Sequence, residues 1–389
     1  MPVLKPAAAL VPVVLAFGAA LAFNPARGDA PAAPVPAASP AASAALQSGR
    51  IAEDASRFLA GLTAEQRKQA SFAFTDAAQR ERWSNFPNGI FQRAGLRYGA
   101  LTAVQKAALM TLLGDVLSPY GVQMVRDQMD ADDQLKANPG LGGGPGGPGG
   151  PPPGDGPPPG GGRGGPPGGG GGGDPGFGAD NYLVAFLGTP SATGPWMLQF
   201  GGHHLGINAS FAGPRMTLSP TLTGGQPTKY MRGGKPVYIV QTEVMQANAM
   251  LAGLDAGQRS RAVVGPQRID LVLGPGHDGQ KLQPEGLPGS AMTAQQKAQL
   301  VALIEARLGI INAAHLAPVM AAARRDIDKT YFAWFGPTGD AGSAYFRVTG
   351  PTLVLEFSPQ SLGGDAANHL HNMYRDPTNE YGAAWTSLK

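Results

Sequence analysis

Four of the six histidines in this 389-residue chain fall into two tight clusters. His203 and His204 lie in GGHHLGINASF, and His369 and His371 in NHLHNMYRDP. Imidazole suits Zn and Cu. Residues two apart on a strand share a face, about 6.6 Å apart along the chain. His369 and His371 can therefore address one ion while Leu370 turns away. A carboxylate completes the pattern. Leu353, Leu355 and Phe357 alternate as an apolar face, which leaves Thr352, Val354 and Glu356 on the other. Aligning the two β segments puts His204 and Asn208 on the face of Thr352 and Glu356, with His203 beside Leu205 and Ile207. A two-fold pairing of these strands would bring His204 near Glu356. The candidate metal ligands are His203, His204, His369 and His371, with Glu356 as ligand or base. Three protein ligands plus water make a catalytic site, and four a structural one. The alternative is a hydrogen-bonded polar seam that holds no ion.

Two further residues have competing readings. Arg375 follows His371 by four, and its fork can clamp a carboxylate or phosphate, or simply pair with Asp376 or Glu380. Glu243 opens a helix after Val237–Val240. There it either complements the helix dipole or, if that end faces the histidines, serves as general base. Asn372 and Tyr374 can orient ligands from behind. His277, in GPGHDG, reads as a solvated turn, and His315 as helix packing or capping. The chain has no nucleophile elbow, P-loop or dinucleotide fingerprint.

The scaffold that must position these groups repeats itself. Residues 55–70 and 247–262 are identical at 9 of 16 positions, and residues 95–113 and 286–304 at 10 of 19. The offsets, 192 and 191, preserve order and spacing. Thr63, Thr102, Asp255 and Thr293 each stand three residues before a Gln, which is the capping box. Apolar residues at helical spacing follow, as in Leu109, Leu112, Leu113 and Val116. Two helical units are expected, 46–138 and 241–328. Two β units, 179–240 and 329–389, carry short apolar runs between Gly and Pro. Tyr182 and Phe186 match Tyr331 and Phe335, and Leu205 and Ile207 match Leu353 and Leu355. The fold class is α+β, internally duplicated as α unit, β unit, α unit, β unit with pseudo-two-fold symmetry. One domain is the first reading, and two tethered domains the second.

Between these units lies a segment that cannot be core. Gly (58) and Pro (37) make up about a quarter of the chain, a low-complexity level. Most of the excess lies in residues 139–178, which have too little apolar surface to offset ordering entropy. Residues 30–45 read as a Pro/Ala tether. Upstream, Lys5 precedes the apolar run Ala7–Phe23, the pattern of a secretory leader within residues 1–29. An uncleaved anchor is the alternative. A secreted or periplasmic location is expected, with no membrane association after cleavage. The absence of Cys rules out disulfides and thiol chemistry. A net charge of +3 without a basic, aromatic-interleaved run argues against nucleic acid as a partner.

The string Phe200-Gly-Gly-His-His-Leu-Gly-Ile-Asn208, the downstream Glu243 and the tail Asn368–Gly382 resemble the domain-of-unknown-function family 3500 of bacteria and fungi. The Trp83-Ser-Asn-Phe-Pro-Asn88 segment and the Leu-Thr-x-x-Gln helix starts are similar to it as well. The resemblance spans roughly residues 46–386 and implies a secreted class without an assigned activity. The first functional expectation is a metal-dependent hydrolase, with Zn or Cu, acting on an unidentified small molecule or polymer. The others are a non-catalytic binding or structural module and a copper redox protein.

Overall fold

All four capping boxes form. Thr63, Thr102, Asp255 and Thr293 accept from the N3 amide, and the paired glutamines reach back to the cap N–H. They open α2 (Ala64–Ala70), α4 (Ala103–Val116), α7 (Ala256–Ala262) and α8 (Ala294–Leu308). The cap glutamines also bond one another, Gln66 with Gln105 and Gln258 with Gln296. Gln105 donates onward to the Gly61 carbonyl, and Gln296 to that of Gly253. Those glycines close α1 (Pro40–Ala60) and α6 (Gln241–Ala252). A cap alone contributes about 1 kcal/mol; here it also locks three helix ends together.

The computed structural model describes residues 39–138, 176–360 and 365–386. The leader, residues 30–38 of the tether, and residues 139–175 of the Gly/Pro segment lie outside the described residues. Residues 40–45, expected as part of the tether, are helical. Ser39 caps α1 and Pro40 occupies its first turn, where proline's fixed φ and missing N–H cost nothing. The alanines that follow are the best helix formers. The remaining helices are α3 (Ala77–Arg80), α5 (Pro119–Ala137) and α9 (Ala313–Arg325). Among the described residues, no helix is long and apolar enough to cross a membrane.

One 13-stranded mixed sheet runs through both β units. One side of it carries β1 (Ser71–Phe72), β3 (Leu183–Leu187), β4 (Pro195–Gly202), β5 (Leu205–Ala212) and β7 (Thr221–Gly225), in that order. The other, counted from its far edge, carries β10 (Val263–Gly265), β12 (Tyr331–Phe335), β13 (Tyr345–Thr349), β14 (Val354–Pro359) and β15 (Leu370–Arg375). β7 and β15 pair antiparallel at the centre. Short strands β2 (Leu96–Arg97), β6 (Arg215–Thr217) and β11 (Leu287–Pro288) add to β3, β5 and β12. A separate hairpin joins β8 (Lys229–Arg232) to β9 (Lys235–Tyr238). The short strands within the helical units were not expected.

Alternation sorts the two faces. Leu198, Phe200, Ile207, Phe211, Phe346, Val348, Leu355 and Phe357 belong to the main core against the helices. The opposite face, with Met197, Leu222 and Met373, packs Trp83, Leu271 and Tyr381 from covering loops. Cross-strand pairing puts Gln199 opposite Asn208, and Arg347 opposite Glu356. This register supports the match of Leu205 and Ile207 to Leu353 and Leu355. The expected match of Tyr182 to Tyr331 is off by one in register: the ladders put Ala185 opposite Gln199 and Ala333 opposite Arg347, which sets Leu183, not Tyr182, at the register of Tyr331. A one-residue slip exchanges faces.

Candidate metal centre

His203 and His204 form the turn between β4 and β5, where Gly202 pairs with Leu205. His204 has φ +58°, a left-handed conformation that usually goes to glycine and costs a side-chain-bearing residue about 1–3 kcal/mol. The Asn85 carbonyl holds it there by accepting from its backbone N–H at 3.0 Å. β5 meets β7 beyond this turn, and His371 on β15 lies opposite Gly224 of β7. A Cβ at Gly224 would collide with the Leu370 carbonyl oxygen, so glycine lets β15 approach β7 closely beside His371. His369 immediately precedes β15 and projects toward the same cluster.

The result is a closed triad. One ligand atom from each of His204, His369 and His371 lies within 4.8 Å of the others. The three residues are 3%, 7% and 2% exposed. Ring centroids of His204 lie 4.7 Å from His369 and 4.9 Å from His371. Burial pushes the His204 and His371 pKa values well down, and the neighbouring imidazoles add to the effect. Both rings are therefore neutral, the form that ligates metals. His204 Nε2 and His371 Nδ1 are buried without a hydrogen-bond partner among the described residues. Orphaned buried nitrogens are costly, and two of them in one cluster fit a cation as the missing partner.

A second layer holds the triad. His371 Nε2 meets the Asn85 side-chain amide at 3.2 Å. Arg93 donates to the carbonyls of Ser84, Phe86 and Gly202, tying the Asn85 loop to the end of β4. His203 Nδ1 bonds Asp132 of α5 at 2.7 Å, and its ring packs on His204 at 3.9 Å and on Phe177 at 4.8 Å. The Tyr182 hydroxyl donates to the His203 carbonyl. The remaining Asp132 oxygen accepts from the Gly178 N–H, which ties the start of the first β unit to this centre.

The profile of a family described as Protein of unknown function (DUF3500) matches residues 45–383. The chain belongs to the DUF3500 family. No curated protein and no solved structure matches it.

In this DUF3500 chain the sequence-predicted residues divide. His204, His369 and His371 come together. His203 is not part of that set; its Nδ1 bonds Asp132 and its ring packs against His204. Glu356 is engaged elsewhere. Its carboxylate accepts from the N–H groups of Val272 and Leu273 at 2.7 and 2.8 Å, and from the Tyr345 hydroxyl at 2.7 Å. These bonds pin residues 272–273 to the sheet. Arg375 is engaged in the same region. It donates to the Leu273 and Gly274 carbonyls and pairs with Asp278 and Glu380. Burial opposes its charge, but the two carboxylates outweigh this and raise its pKa. Four of its five N–H donors are thus used inside the protein, and the group is 1% exposed.

Glu243 cannot serve the histidines, because it lies across the sheet. Its partner Asn372 follows His371 on β15 and so points the other way. Tyr374, on the same side as Asn372, packs in the helix-facing core and orients no imidazole. Burial lifts the Glu243 pKa to about 7, against the pull of Arg307. His277 sits in its expected turn, half-buried, beside Gln280. His315 is buried between Ser48 and Asn312 and joins α1 to α9. Sequence reasoning gave no role to Asn85, Arg93 or Asp132. Only Asn85 had a signal, in the Trp83–Asn88 string.

Proposed function

We propose that His204, His369 and His371 bind one transition-metal ion and that the protein is a metal-dependent hydrolase acting outside the cytoplasm. The observation that carries the metal reading is the pair of orphaned nitrogens on two neutral, buried rings of one triad. A metal held there would supply Lewis acidity and acidify a coordinated water. Three protein ligands leave a coordination position for substrate. The chain's own part is to keep the imidazoles neutral, fix their orientation through Asn85 and Asp132, and exclude bulk water by burial. The all-nitrogen donor set also suits copper, and a redox centre is the second reading. The leader-like Ala7–Phe23 run supports export.

We also read the chain as a duplication about a pseudo-two-fold axis near the Thr221–Tyr374 pair. The mirrored strand order, the two equivalent glutamine networks and the repeated sequence blocks support it. On that reading His204 corresponds to Thr352 and His371 to Thr217, since Ser358 pairs with His371 where Ser210 pairs with Thr217. One half carries imidazoles where the other carries hydroxyls.

Elemental analysis of natively purified protein tests the metal. About one equivalent of Zn or Cu is expected in the wild type, and loss in His371→Ala. Less than about a tenth of an equivalent, unchanged by that substitution, refutes it. An EPR signal separates copper from zinc. Hydrolysis of ester and phosphoester panels that resists chelation in loaded protein would remove the hydrolase reading and leave a non-catalytic module.

A further inference from the structure

Asn85 bonds two of the three histidines through two different groups, one on a backbone and one on a ring. Its carbonyl fixes the strained backbone of His204, and its side-chain amide faces His371 Nε2 at 3.2 Å. It is 3% exposed, and Trp83, two residues earlier, is anchored by its indole N–H on the Tyr381 hydroxyl at 2.8 Å. The loop is therefore a rigid support.

The amide nitrogen faces Nε2 here, with Ser84 Oγ 3.5 Å from the amide oxygen. A neutral imidazole has one donor and one acceptor nitrogen. If Nε2 accepts, Nδ1 carries the proton and cannot ligate. Turning the amide by 180° reverses this. The oxygen then accepts from Nε2–H, and the Nδ1 lone pair is directed into the triad. Ser84 tolerates either orientation, because a hydroxyl both donates and accepts. Amide nitrogen and oxygen exchange places at almost no steric cost, so geometry alone permits both.

Resting on the three-histidine reading above, we propose that Asn85 is a positioning residue that selects the His371 tautomer, its amide oxygen turned to Nε2–H whenever a metal occupies the triad. Outer-sphere partners of this kind change metal affinity by about 10–100-fold. Asp at this position is a permanent acceptor and mimics the oxygen-forward state. Ala removes the side-chain contact and keeps the carbonyl that holds His204.

The test is Co(II) titration of metal-free full-length wild type, Asn85→Ala and Asn85→Asp, read by d–d absorption, with circular dichroism as a fold check. Nitrogen-15 NMR of the Zn(II)-loaded wild type reads the His371 tautomer. Expected are affinity about 10–100-fold weaker and an altered spectrum for Asn85→Ala, near wild-type affinity and spectrum for Asn85→Asp, and a proton on Nε2. Wild-type affinity in Asn85→Ala, Asn85→Asp failing as Asn85→Ala does, or a proton on Nδ1 overturns the role of Asn85 while leaving the metal site intact. Failure of the wild type to bind Co(II) removes the metal reading, and this proposal with it.

Discussion

Replacing Glu356 with Gln separates a structural carboxylate from a reactive one. The residue is 1% exposed and takes three hydrogen bonds, two of them from consecutive backbone amides. Glutamine keeps the shape and one acceptor. It turns an NH2 toward one of the two amides and so leaves a buried N–H unpaired. Losing a hydrogen bond to a charged acceptor costs about 1.5–3 kcal/mol, and an unsatisfied buried donor about 1–3. Relief of the buried charge returns part of that, for a net loss of about 2–4 kcal/mol. At roughly 2.1 cal/mol/K of unfolding entropy per residue, a chain of this size should melt about 2.5–5 °C lower. Calorimetry and Co(II) titration on the same preparations make the measurement. Co(II) affinity should stay within about threefold of wild type, since Glu356 holds residues 272–273 and not an ion. A melting temperature unchanged within a degree or so, together with affinity at least about tenfold weaker, would refute this and restore Glu356 to the site.

Three other outcomes follow from the geometry. His204→Gly relieves the left-handed strain, worth about 1–3 kcal/mol; metal-free stability in urea should hold or rise while Co(II) binding is lost, and a loss of stability above about 1 kcal/mol would contradict the strain argument. Arg375→Ala leaves Asp278 and Glu380 unpaired and frees two carbonyls, which should cost about 3–5 kcal/mol, with amide exchange rising first across residues 271–280. Glu243 has a folded pKa raised to about 7, so its neutral form contributes stability that is fully present below the unfolded value of about 4.3 and is lost as pH rises through about 7; urea midpoints at pH 5 and pH 8 should therefore fall less in Glu243→Gln than in wild type, and equal slopes would show that Glu243 does not titrate there.

What the sequence disclosed follows the range of each physical signal. Capping boxes are local, so all four were legible and all four formed. The His-x-His face was legible because strand alternation is local too, and it brought His369 and His371 together. Partnerships set by loops were not. Asn85 and Asp132 reach the histidines from segments more than seventy residues away, and no periodicity marks an amide or an acid for such a role. Glu356 was misread because its face was correctly inferred but its neighbours were not. Residues 272–273 descend on that face and claim the carboxylate before any ion could. The slip between Tyr182 and Tyr331 has the same origin: in fully buried strands both faces are apolar, so composition does not fix register.

The asymmetry of the sheet argues for a function at the triad more strongly than any single contact does. On the proposed duplication, Thr352 would occupy the corresponding place, so the turn itself does not require an imidazole. His204 instead combines a strained backbone, a buried ring and an unpartnered nitrogen. The strain and the buried unpartnered nitrogen are each unfavourable for folding by about 1–3 kcal/mol, and both fall on one residue. Local conflicts of this size persist where something outside the chain compensates them. A cation shared with His369 and His371 would satisfy the nitrogens of two rings at once and hold the turn from its inner side, which no rearrangement of the surrounding hydrogen bonds accomplishes.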